Sequence, residues 1–228
     1  MRLIPGDGVR EKGELLAHTG LAVAESRWWK SGNDSVRPLF ETLAGIVEDN
    51  PHSVRYDMFS EECSLASIVE DVCDDGEYHS LYVGAHGDDN SIAGLGEAEI
   101  SRVKLRNMLR NHNSGGEIKG VYFGSCLIGT ERNAAFWLTD TPTTGLQWVG
   151  GYKTSVDWID SSAIDMIFWS KYLHERKRNR SRRKGKRSEL QMVKHAALEM
   201  KTLMPSIFNQ MGFNIYHLDS GGSLASVW

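Results

Sequence analysis

Two short apolar runs constrain this chain more than any other feature. One is Leu81 to Asp88, LYVGAHGD, and the other is Ile118 to Ile128, IKGVYFGSCLI. Each has strand character and stops abruptly at small residues and one reactive side chain: His86 followed by Gly87, and Cys126 preceded by Gly124 and Ser125. If the two strands lie side by side and parallel, His86 and Cys126 reach the same sheet edge. Ligands and chemistry gather there in open α/β sheets.

The rest of the chain alternates between strand and helix patterns. Leu21 to Ser26 reads as a first strand. Val36, Leu39, Phe40, Leu43 and Val47 follow at helical spacing, with Pro38 in the first turn and Asn50-Pro51 as the stop. Val54, Tyr56 and Met58 alternate as a second strand, and Leu65, Ile68, Val69 and Val72 mark a helix with Ser60 as its candidate cap. Ser80 to Ala85 and Ile118 to Phe123 are the third and fourth strands. Gly87 to Glu97 between them is a loop or small hairpin, and Leu105, Met108, Leu109 and His112 share one helical face. Asn133 to Leu138 is a short helix broken by Asp140, Pro142 and Gly145, and Leu146 to Tyr152 is a fifth strand. Asp160 is expected to cap a helix carrying Ile164, Ile167, Phe168 and Tyr172; a last helix begins near Leu190, and Asn214 to Leu218 is a sixth strand. This predicts an α/β fold with a mainly parallel six-stranded sheet covered on both faces. Residues 1–19 are expected to be an arm, and 20–228 one domain.

Composition narrows the classes. Forty per cent apolar residues is enough for a sizeable core. No apolar run approaches the ~20 residues of a membrane-spanning helix, and the first residues lack the apolar centre of a secretory signal. Cys63, Cys73 and Cys126 form no metal-type cluster, so free thiols in a reducing cytoplasm are expected. The net charge of −4 hides a dipolar chain. Arg176 to Arg187 holds nine Lys/Arg in twelve residues, and without them 17 basic residues stand against 30 acidic ones. A solvated, mobile loop is the ordinary expectation for such a run. Nucleic-acid binding is the rival, disfavoured because the run holds no aromatic residue and no base-reading motif.

The thiolate is the nucleophilic form of cysteine, and a neighbouring imidazole can take its proton. A helix starting just after Cys126 would add the positive end of its dipole. Backbone N–H groups of Gly87 and Cys126 are candidates to hold an oxyanion. Either residue alone would ordinarily be a buried thiol or a loop histidine; the pair, in this order on two strand ends, points to catalysis. The remaining histidines have no paired spacing with Cys or carboxylates, so no zinc and no other cofactor is expected. Gly94-x-Gly96 lacks the third glycine of a nucleotide loop.

The AHG strand end, a polar loop, a helix and the GVYFGSC strand end resemble the caspase-like (clan CD) cysteine peptidases, closest to the prokaryotic and CHAT-type members. The resemblance covers roughly residues 20–173. It implies a caspase-like three-layer α/β/α sandwich and peptide-bond hydrolysis by His86 and Cys126 without a metal. It further suggests limited proteolysis of a protein substrate, under an activating protein partner, in bacterial signalling or antiviral defence. The chain lacks the QAC-x-G motif of eukaryotic caspases and carries Ser125 where metacaspases use Asp. Cleavage after Asp is therefore not implied. In this family the segment after the fifth strand lines the pocket for the residue before the scissile bond. Here it offers Asp157 and Asp160, which suit Lys or Arg; the plainer alternatives are a helix cap and a solvated carboxylate. Asp88 and Asp89 are further acidic candidates, and Trp158 with Trp28 and Trp29 are candidate walls. Self-cleavage of the basic run is a further expectation. The rival functions are a catalytically silent adaptor binding a protein or nucleic acid through that run, and an unrelated α/β enzyme using Cys126.

Overall fold

A computed structural model describes residues 18–29, 34–139 and 144–228. The N-terminal arm up to residue 17, and Asp140 and Pro142, lie outside the described residues.

Nine strands form among the described residues: β1 (Leu21–Ser26), β2 (Arg55–Phe59), β3 (Ser80–Gly84), β4 (Ser91–Ala93), β5 (Glu99–Ser101), β6 (Gly120–Gly124), β7 (Trp148–Tyr152), β8 (Phe213–Leu218) and β9 (Leu224–Ser226). Seven join one sheet in the order β2-β1-β3-β6-β7-β8-β9. The first five of these are parallel, whereas β8 and β9 are antiparallel additions. The sheet therefore has seven strands rather than the expected six. The extra one, β9, is only three residues long, too short to show a period. β4 and β5 pair as a separate small hairpin.

The helices are α1 (Arg37–Glu48), α2 (Glu62–Asp75), α3 (Arg102–His112), α4 (Glu131–Leu138), α5 (Trp158–Ser181), α6 (Glu189–Leu203) and α7 (Ile207–Met211). Alternation along the strands splits the core into two layers. Ala22, Ala24, Leu81, Val83, Val121 and Phe123 face α2, α3 and α4. Leu21, Val23, Tyr82, Tyr122 and Trp148 face α1, α5 and α6. No helix among the described residues is long and apolar enough to cross a membrane.

Local signals explain the helix ends. Pro38 sits in the first turn of α1, and Asp49 ends it in the left-handed region at φ 57°. At α2 the cap is Glu61, one residue beyond the expected Ser60, because Glu61 and Ser64 close a capping box. α5 is capped by Asp157, three residues before the expected Asp160. The Asp157 carboxylate accepts from the N–H groups of Ile159 (2.8 Å) and Asp160 (3.4 Å).

The basic run also differs from expectation. α5 continues through it to Ser181, and a short loop follows, closed by Asn179 bonding both the N–H (2.7 Å) and the carbonyl (2.9 Å) of Arg187. Five of its cations meet carboxylates: Arg176 with Glu189, Lys177 with Asp49, Arg180 with Glu48, and Arg182 and Arg187 with Glu175. Arginine and lysine are good helix formers, and acids flanking the run (Glu175, Glu189) together with Glu48 and Asp49 at the end of α1 neutralise part of its charge.

Candidate active site

The chain leaves β1 for β2 on one side and returns through β3 on the other. The crevice of such an open sheet lies at that reversal, beyond the carboxyl ends of the strands. β3 and β6 are neighbours in parallel register, from Ser80 opposite Gly120 to Gly84 opposite Gly124. His86 and Cys126 each follow two residues after the last matched pair, so both emerge at this edge. Both line one cleft of about 320 Å³, with Trp28, Tyr82, Asp157 and Trp158 among its walls.

The two loops touch through glycine. A β-carbon at position 87 would lie 2.7 Å from the Cys126 carbonyl oxygen and 3.0 Å from the Ser125 β-carbon, so only Gly87 permits this approach. The hairpin fixes the His86 loop from its other side: Ala93 N–H donates to the His86 carbonyl at 2.9 Å, and Asp88 N–H to the Ser91 carbonyl at 3.0 Å. Asp88 in turn accepts from Asn90 N–H (2.7 Å), Ser91 N–H (2.8 Å) and the Ser91 hydroxyl (3.0 Å). These bonds, the Asn90 N–H foremost, hold its carboxyl below the usual range. The N–H groups of Gly87 and Cys126 have no acceptor among the described residues; Cys126 lines the cleft, and Gly87 lines the adjoining recess with Asp88.

Cys126 is half-buried. Its Sγ accepts from Val156 N–H at 3.4 Å and lies 3.6 Å from the Val156 carbonyl and 4.0 Å from the Ser155 hydroxyl. The thiol is thus held by the segment after β7, and no hydrogen bond joins it to His86 among the described residues. The chain then turns sharply. Leu127 takes φ 63° while Ile128 N–H donates to the Cys126 carbonyl at 2.7 Å, a γ-turn of the rare positive-φ kind. No helix begins directly after Cys126; α4, read from the sequence as Asn133 to Leu138, starts at Glu131 behind a Thr130 cap. The buried Cys73 is a different case: burial pushes its thiol up to about 11, leaving it protonated and inert at neutral pH.

Of the acidic candidates, Asp157 lies in the cleft wall, with one oxygen committed to the α5 cap. Asp160 is exposed in the first turn and is not part of that wall. Asp88 faces a second recess beside His86, with Glu97 and Glu99. Trp28 packs edge-to-face on the His86 ring with centroids 5.6 Å apart, and also meets Trp29 at 5.8 Å and Trp158 at 6.0 Å.

Two buried acids behind the walls were not anticipated. Asp165, 5% exposed, accepts from the hydroxyls of Tyr82 (2.8 Å), Tyr152 (2.6 Å) and Tyr122. Burial pushes its carboxyl up to about 6, against the lowering effect of these three bonds. Glu25, fully buried, accepts from Val36 N–H (2.9 Å), the hydroxyls of Ser35 (2.6 Å) and Tyr56 (2.6 Å), and Trp28 Nε1 (3.4 Å). Both were readable in principle. Glu25 shares the parity of Leu21 and Val23, and Asp165 lies at helical spacing with Trp169 and Tyr172.

The basic loop is remote from the cleft. α5 begins at the cleft and runs 24 residues before reaching it, about 36 Å at helical rise. Among the described residues no group of three His, Cys, Asp or Glu is gathered as metal ligands would be. No family model matches this chain, and no curated protein matches it.

Proposed function

We propose that the protein is a caspase-like cysteine endopeptidase that cuts protein substrates by limited proteolysis. The single observation carrying this reading is the in-register β3–β6 pairing, which brings an imidazole and a thiol onto one solvent-open cleft. In the reaction, the Cys126 sulfur leaves its contact with Val156, gives its proton to His86 and attacks the scissile carbonyl. The N–H groups of Gly87 and Cys126 receive the developing oxyanion. His86 then protonates the departing amine, and water, deprotonated by the same imidazole, cleaves the thioester.

The substrate preference we propose is a Lys or Arg before the scissile bond. Asp157 stands in the wall, Trp28 and Trp158 offer aromatic faces to a cation, and Glu25 and Asp165 lie behind with no Lys or Arg partner among the described residues. The basic run, at the far end of α5, can then be cut only between molecules.

The test is hydrolysis of a basic peptide library by the wild-type protein, Cys126→Ala, His86→Ala and Asp157→Asn. Loss of all turnover in the first two variants is expected, with a raised KM for basic peptides in the third. Turnover surviving Cys126→Ala ends the peptidase reading. The rival reading, a silent adaptor of the same fold, draws on the thiol's contact with Val156 rather than His86. It predicts no labelling of Cys126 by a peptidyl electrophile.

A further inference from the structure

Among the described residues His86 has no hydrogen-bonding third group. Its ring nitrogens meet no carboxylate, carbonyl or hydroxyl among the described residues. An imidazole that must switch between accepting and donating a proton needs a fixed plane, and a hydrogen bond to one nitrogen is the usual means. Here the ring contact within reach is Trp28, edge-to-face at 5.6 Å and 73°.

Trp28 itself stands on the loop between β1 and α1, and Glu25 grips that loop at both ends. Its Oε1 takes Trp28 Nε1 near the start (3.4 Å) and Val36 N–H at the finish (2.9 Å); its Oε2 takes the Ser35 hydroxyl (2.6 Å). The Tyr56 hydroxyl from β2 completes the set at 2.6 Å. A fully buried carboxylate that meets only neutral donors is costly to keep in place. Strand packing does not require it, because its neighbours on that face of β1 are Leu21 and Val23.

We infer that Trp28 is the positioning residue for His86, and that Glu25 acts through Trp28 by closing the loop that carries it. This rests on the His86/Cys126 reading above. An aromatic wall does here what a hydrogen-bonded third residue does elsewhere: it fixes the plane of the imidazole while leaving both nitrogens free for proton traffic.

The test separates ring positioning from substrate contact by using a small reagent. Alkylation of Cys126 by iodoacetamide is followed from pH 5 to 9 in the full chain, in a Cys63→Ser, Cys73→Ala background, for wild type, His86→Ala, Trp28→Phe, Trp28→Ala, Glu25→Gln and the double variant Trp28→Ala/Glu25→Gln. The expected result is that Trp28→Ala carries the profile most of the way to that of His86→Ala, that Trp28→Phe moves it less, and that Glu25→Gln adds nothing once Trp28 is Ala. Peptide turnover in Trp28→Ala should fall about ten- to a hundredfold in kcat, the scale of a misplaced catalytic group. A wild-type profile in Trp28→Ala, with His86→Ala displaced, overturns the inference and leaves the dyad standing. Identical profiles in His86→Ala and wild type overturn both. Glu25→Gln keeps the side-chain shape, and the Ser35 and Tyr56 hydroxyls can turn to accept from its amide. A shifted profile with an unchanged melting temperature therefore argues against a merely structural role.

Discussion

The two ends of the sheet bury carboxylates in opposite ways. At the end holding the cleft, Glu25 and Asp165 are held by hydroxyl, indole and backbone N–H donors, all of them neutral. At the other end, Glu48, Glu175 and Glu189 each meet arginine, with Glu175 2% and Glu189 8% exposed. A buried charge with a cation beside it is locally neutral. A buried charge with only dipoles around it keeps its field, and a cleft with low-dielectric walls concentrates that field. One end thus ties α1, α5 and α6 together, and the other gives the cleft its sign.

The comparison can be broken most severely at the arginine end. Glu189→Ala removes the acceptor for Ser80 and Tyr172 and strands Arg176, which should cost about 3–5 kcal/mol by urea unfolding. A loss below ~1 kcal/mol would show that this end does not tie the helices. Asp165 tests the other end through pH. Its folded carboxyl titrates near 6, above its unfolded value, so the folded state holds the proton more tightly. Its contribution is therefore greatest below about pH 4, falls by roughly 3 kcal/mol as pH rises to about 6, and is flat above. Asp165→Asn should remove that part of the slope, and an unchanged slope would assign it to other groups. Gly124→Ala puts a β-carbon 1.9 Å from the Tyr82 hydroxyl, displacing the ring that bonds Asp165. We expect about 1–3 kcal/mol of destabilisation and reduced turnover. The smallest effect belongs to Arg183→Glu with Lys184→Glu on the exposed loop: stability within ~0.5 kcal/mol of wild type and unaltered peptide hydrolysis.

What could be read from the sequence follows physical range. β1 has the bounds read from the sequence, Leu21–Ser26, and the edge shared by His86 and Cys126 follows from two runs of equal character. Choices between near-equal local options were harder. Asp157 and Asp160 are both sound caps, and the helix takes the earlier one because Trp158 and Ile159 already have helical geometry. Hidden altogether were features made by distant partners. The first half of the basic run, to Ser181, is helix, and its Arg180 meets Glu48 on α1; the thiol's hold by Val156 depends on how β7 exits the sheet.

The unbroken length of α5 has a mechanical consequence. Its first turn borders the reactive sulfur's cleft and its last turn is clamped by arginines at the far rim of the sheet. For a rod of this length, a tilt of roughly 3° about its middle would move each tip by ~1 Å, given the length set by helical rise. Leverage applied to the arginine clamp would be felt by Trp158 before any loop had to unfold.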